Sequence, residues 1–207
     1  LGDVYKRQGE AFAYMSNLTH ISLPEGLKEI RGGAFKYDYN LTNVKLPSTL
    51  EYLGGSAFSH CSSITEITIP EKVTEINGAT FEYMTSLRTI NMHEGITYIH
   101  GEVFVGDTSL NNVKLPSKIT EIKGSTFENC SSLTSIEIPE GVTRIGGHAF
   151  YGCSSLSYVY VPRTVTEIGS SAFRQCYSLR NITIPRNAYV NERAFKESPT
   201  SISYYNY

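Results

Sequence analysis

The side chains of this 207-residue chain best suited to chemistry are four cysteines and five histidines. A structural zinc site draws on Cys or His pairs at short spacing, and a catalytic thiol needs a base or cation nearby to lower its pKa. Cys61, Cys130, Cys153 and Cys176 each stand three residues after a phenylalanine, a place filled elsewhere by Met15, Asp38, Met84 and Asp107. They share one recurring position, which reads as a file of small packed thiols. With segments stacked about 4.8 Å apart, a disulfide from Cys153 to either neighbour is within reach but strands the remaining thiols. His20, His60, His93, His100 and His148 occupy five different positions of the pattern, and His60-Cys61 is the one Cys–His adjacency. Gly32-Gly33, Gly54-Gly55 and Gly146-Gly147 belong to a repeated turn, not to a phosphate loop or nucleotide fingerprint. No catalytic, metal-binding or cofactor-binding residue is assigned.

The elements that place these side chains follow from a repeat. Phe12, Phe35, Phe58, Phe81, Phe104, Phe127, Phe150 and Phe173 are 23 residues apart, and Phe195 follows after 22. A unit that short cannot close a core alone, so successive copies must stack into a solenoid. Within each copy a leucine or isoleucine such as Leu133 opens a strand, and pairs such as Ile67/Ile69 and Ile182/Ile184 alternate with polar residues at period two. Prolines at 24, 47, 70, 116, 139, 162 and 185 stop that strand, with His93 the one departure. A second apolar pair, such as Val73/Ile76 or Val165/Ile168, closes the coil from the other side. Glycines three residues before the Phe, Gly9 through Gly147, mark a turn that needs either positive φ or close backbone approach; Ser170 and Glu192 break that rule.

The order Leu-x-x-Ile-x-Ile-Pro, then Val-x-x-Ile-Gly-x-x-Ala-Phe-x-x-Cys, resembles the BspA-like, Treponema-type class of leucine-rich repeats over nearly the whole chain. The resemblance implies a parallel β-sheet on the concave face and a secreted or cell-surface adhesion or protein-binding role. As a scaffold family it supplies no catalytic residues to carry over.

Charge narrows the partners. Lys plus Arg total 18 against 20 Asp plus Glu, leaving no basic field for nucleic acid. No apolar stretch approaches the roughly 20 residues that span a bilayer. Residues 1–8 fail the template, with Arg7 where the next coil has Ile30, and are set apart as a non-repeat segment of possibly foreign origin. Residues 9–207 form the solenoid, read as a fragment of a longer chain. At its end Ile202, Tyr205 and Tyr207 are expected to face inward one register late, and uncapped ends would leave sheet edges open to pairing in an otherwise monomeric molecule.

The polar residues between the buried ones should stand on the open sheet face, where most are Thr, Ser and Asn. Tyr158 and Tyr160 are the exception, flanked by Glu137 and Arg180. Exposed aromatics beside charged groups dominate many interfaces, so Glu137, Tyr158, Tyr160 and Arg180 form the candidate contact patch for a protein or glycan partner. A second ladder, Glu29, Tyr52, Glu75, Tyr98, Glu121, Arg144 and Glu167, avoids adjacent like charges and reads as register and solubility.

The sequence thus points to a right-handed leucine-rich-repeat solenoid of about nine 23-residue coils. Its expected role is a non-catalytic recognition or adhesion module; a passive spacer is the first alternative, and an enzyme with an unrecognised site the second.

Overall fold

Where backbone donors find acceptors decides the shape of each coil. The computed structural model describes residues 9–205 in full, together with the backbone of Lys6–Arg7. It is a parallel β-solenoid of about eight turns, against the nine counted from the spacing, and no helix occurs among the described residues. Every paired strand runs parallel to its neighbour.

Two short strands recur in each coil. The front strands include Glu66–Thr68, Thr89–Asn91, Ser135–Glu137, Tyr158–Tyr160 and Asn181–Ile184, with middle residues such as Ile67, Ile136 and Val159 turned into the core. At Asn112 the ladder thins to a single bridge with Thr89, so the front strand expected there is not continuous. The return strands include Glu75–Ile76, Tyr98–Ile99, Glu121–Ile122, Arg144–Ile145 and Glu167–Ile168. Lys6–Arg7 pairs in this same file, Arg7 opposite Ile30.

Proline ends each front strand by opening a turn: Val142 N–H returns to Pro139 O at 3.0 Å and Val165 N–H to Pro162 O at 3.2 Å. His93 supports the same turn, with Ile96 N–H on its carbonyl at 3.3 Å. Its ring takes over part of the work, since Nε2 lies 3.0 Å from both Pro70 O and Val73 O, and Nδ1 receives Gly95 N–H at 3.1 Å.

The loop around each phenylalanine has no regular element, yet its donors are used in strict alternation. In one coil the N–H groups of Gly33, Phe35 and Tyr37 cross to Gly55 O, Ala57 O and Ser59 O of the next, at 3.0, 2.8 and 2.9 Å. Those of Ala34, Lys36 and Asp38 instead close turns onto Arg31 O, Gly33 O and Phe35 O. The same pattern recurs in full around Phe58 and Phe150. Alternation requires two left-handed residues per coil, two before and two after the Phe: Ser56 and His60, Ser125 and Asn129, Ser171 and Gln175. Most are not glycine, at a steric cost of about 1 kcal/mol each. The glycine three before the Phe is not left-handed. It answers the other expectation, close approach: a Cβ on Gly101 would lie 2.8 Å from Gly124 O, and one on Gly55 2.9 Å from Gly78 O.

This alternation delivers the phenylalanines to one interior file. Phe35, Phe58, Phe81, Phe104, Phe127, Phe150 and Phe173 have no exposed surface, and neighbouring rings stack at 5.1–6.2 Å within 15° of parallel. Full burial of each ring is worth about 1.5–3 kcal/mol, with stacking adding roughly 1 kcal/mol.

The four cysteines are buried free thiols in the neighbouring file. Burial pushes every one of them up, Cys176 to about 12. On the return sheet Arg144 bridges its two neighbours, Nη1 to Glu121 at 2.8 Å and Nε to Glu167 at 3.0 Å, as the alternating ladder requires.

The C-terminal strand corrects one expectation. Ser201–Tyr204 pairs with Asn181–Ile184 so that Ile202 lies opposite Ile182 and Tyr204 opposite Ile184. Tyr204, not Tyr205, therefore takes the register of a core residue, because the Pro199 loop shifts the strand less than expected, but at this last strand Ile202 and Tyr204 stay exposed and only Tyr205 is partly buried; Tyr207 lies outside the described residues.

Two outcomes follow. The native protein should give less than 10% of the thiol-reagent signal of four cysteines at about pH 8, rising to four on denaturation; rapid native labelling would contradict the packing. Arg144→Glu places three carboxylates in a row and should destabilise by about 1–2 kcal/mol, partly recovered in 1 M salt when followed by thermal melting.

Candidate recognition face

The open face of the front sheet carries the predicted patch, and strand register decides which of its members meet. Ser135 lies opposite Tyr158 and Glu137 opposite Tyr160. Period-two alternation turns both tyrosines away from the core, with Val159 between them 6% exposed and Tyr158 53% exposed. Tyr160 is half-buried instead of fully exposed. Its hydroxyl donates to Glu140 Oε1 at 2.5 Å, and that bond foremost raises the phenol to about 12.

Tyr160 is also the wall between two grooves. One, of about 450 Å³, runs past Glu94, Lys114, Glu137 and Glu140. The other, of about 380 Å³, is lined by Tyr158, Tyr160, Asn181, Thr183 and Tyr205. Tyr205 lies across the second groove, donating its hydroxyl to Val161 O at 2.6 Å with the Arg163 guanidinium 4.7 Å from its ring centre. Burial raises its phenol and Arg163 opposes that shift.

The structure thus brings Glu137, Tyr158 and Tyr160 together and adds Glu140, Arg163 and Tyr205. It does not bring Arg180 to them. That residue is exposed, stands just before strand Asn181–Ile184, and lines neither groove. Sequence reasoning passed over Glu140 and Arg163 because they follow the strand-ending prolines, outside the alternating positions. Tyr205 was missed with the register of the last strand.

The face also repeats on a longer scale. Asn43-Val44-Lys45-Leu46-Pro47-Ser48 recurs three coils later as Asn112-Val113-Lys114-Leu115-Pro116-Ser117. Glu25 and Glu71 flank the first copy as Glu94 and Glu140 flank the second, so a groove of about 730 Å³ near Lys45 is a translated relative of the one near Lys114. Glu94 holds its copy together, taking Ser117 N–H at 2.8 Å and pairing with Lys114 at 3.2 Å. The signal was present in the file three residues after the Phe, where Met15, Asp38 and Cys61 return as Met84, Asp107 and Cys130.

Among the described residues no group of three His, Cys, Asp or Glu side chains is placed to hold a metal ion, and no helix is long and apolar enough to cross a membrane. The arrangement can offer hydroxyl, carboxylate and guanidinium groups on a rigid sheet.

Comparison with known proteins agrees with this architecture. No curated protein matches the chain. Among solved structures, a leucine-rich repeat protein from Bacteroides ovatus is 25% identical with a TM-score of 0.63, covering 97% of this chain and 72% of that one. The T. pallidum leucine-rich repeat protein is 23% identical with a TM-score of 0.62, covering 75% of this chain and 72% of its own. A leucine-rich cell surface protein from Faecalibacterium prausnitzii is 20% identical with a TM-score of 0.52, covering 99% and 77%. The profile of the BspA type leucine-rich repeat region matches six copies over residues 6–132 and 101–207, and the chain belongs to that family.

Proposed function

We propose that the chain is a non-catalytic recognition or adhesion module of a secreted or surface-exposed protein, and that it engages a protein partner through the front sheet at Tyr158 and Tyr160. The observation that carries this reading is the pair of tyrosines on the front sheet, Tyr160 as the wall shared by two grooves and Tyr158 in the second of them, with Glu137 and Glu140 along the first groove and Arg163 against Tyr205 at the second. Aromatic anchors ringed by charge are the residue types that concentrate binding energy. A rigid parallel sheet lowers the ordering cost of presenting them. The surface location is carried by analogy with the cell-surface protein of the same fold.

The test is a phage-displayed peptide library selected on the intact chain and scored against Tyr158→Ser/Tyr160→Ser. Peptides bound by the native face should weaken at least about tenfold on the double variant, while its Tm stays within about 2 °C. Equal binding by both proteins would reject this face. It would favour the spacer reading, in which no particular sheet residues matter.

A further inference from the structure

The position three residues after each phenylalanine bonds as well as packs. Ser198 shows the full pattern with one hydroxyl: Oγ accepts Cys176 N–H at 2.9 Å and donates to Phe173 O of the same preceding coil at 2.6 Å. The thiols make the donating half, Cys61 to Phe35, Cys130 to Phe104, Cys153 to Phe127 and Cys176 to Phe150, at 3.0–3.2 Å.

Asp38 and Asp107 stand in the same file with no exposed surface. Each makes the accepting half through Oδ1, from Met15 N–H and Met84 N–H, both at 2.7 Å. Each leaves Oδ2 buried and without a partner. By the register of the file, the carbonyl that the thiols and Ser198 address corresponds to Phe12 for Asp38 and to Phe81 for Asp107. A carboxylate offers only acceptors and would set a negative oxygen against a carbonyl oxygen. A carboxylic acid has a hydrogen to give and completes both halves.

We propose that Asp38 and Asp107 are carried in the folded solenoid as neutral carboxylic acids, each donating Oδ2–H to the phenylalanine carbonyl of the preceding coil, so that rising pH loosens the stack at these two coils.

The surroundings push the same way. Asp38 faces the Cys61 thiol on one side and Met15 on the other; Asp107 faces Cys130, Met84 and the repelling carboxylate of Glu82. Among the described residues neither carboxyl makes an ion pair. Burial raises Asp38 to about 6 and Asp107 well above its ordinary range, opposed by the methionine N–H groups. Ionisation is therefore harder folded than unfolded. The stabilising contribution is intact below the ordinary aspartate pKa and is lost as pH climbs through about 6 for Asp38, and through the raised pKa of Asp107.

Asn supplies the donor without a proton to lose. Asp38→Asn/Asp107→Asn should melt about 4–8 °C above the native chain near pH 8, with the curves converging near pH 4. A gap that stays constant over this range, or a variant melting no higher at pH 8, would overturn the proposal. The unsubstituted protein gives a second readout, because its only aspartates are Asp3, Asp38 and Asp107. Carbon-13 NMR of Asp-labelled protein should show two of three carboxyls titrating above about pH 5.5, and fewer than two would refute it.

Discussion

A buried backbone N–H must find an acceptor, and a coil of this length has too little regular structure to supply one internally. The chain meets that constraint by sending every second donor of the phenylalanine loop into the next coil and folding the others into turns. Much else follows. Adjacent loops must lie at hydrogen-bonding distance, which admits only small residues where backbones nearly touch, as at Gly55 and Gly101. The same spacing sets rings such as Phe127 and Phe150 at 5.4 Å, close enough to stack and exclude water. Left-handed backbone at non-glycine residues is the cost, offset by bonds the neighbouring coil supplies.

Features fixed by a residue's own type were readable from the chain. The Phe file, the proline turns and the alternating strands announce themselves because each needs a ring, a missing N–H or a branched apolar side chain at a set spacing. The left-handed positions did not, because Glu10, Tyr37, Ala79 and His148 share no side-chain property and are held there by the next coil. At the candidate site, Tyr158 and Glu137 could be placed from period two alone. Arg163 and Glu140 come from turns, and Tyr205 from a strand whose register depends on the Pro199 loop. Arg180 was grouped with the tyrosines by nearness in the stacking order, but its position before the strand keeps it out of both grooves.

Packing and recognition are separated by this design. Inward positions are nearly invariant from coil to coil, while the front sheet varies freely between Asn43/Lys45, Thr89/Asn91 and Tyr158/Tyr160. A change on that face leaves the Phe file and the crossing N–H bonds intact, so a new contact surface need not disturb the fold. The aspartates in the thiol file are the exception. There, polar chemistry enters the interior and ties packing to proton concentration.

If the coils are coupled only through neighbours, damage should stay local. Native-state hydrogen exchange on Phe104→Ala tests this most directly. Loss of the ring, expected to cost about 3–5 kcal/mol, should strip protection from the Phe81, Phe104 and Phe127 loops and leave those around Phe35 and Phe173 nearly unchanged. Uniform loss of protection along the chain, or none at all, would contradict a solenoid held coil to coil by one stacked core.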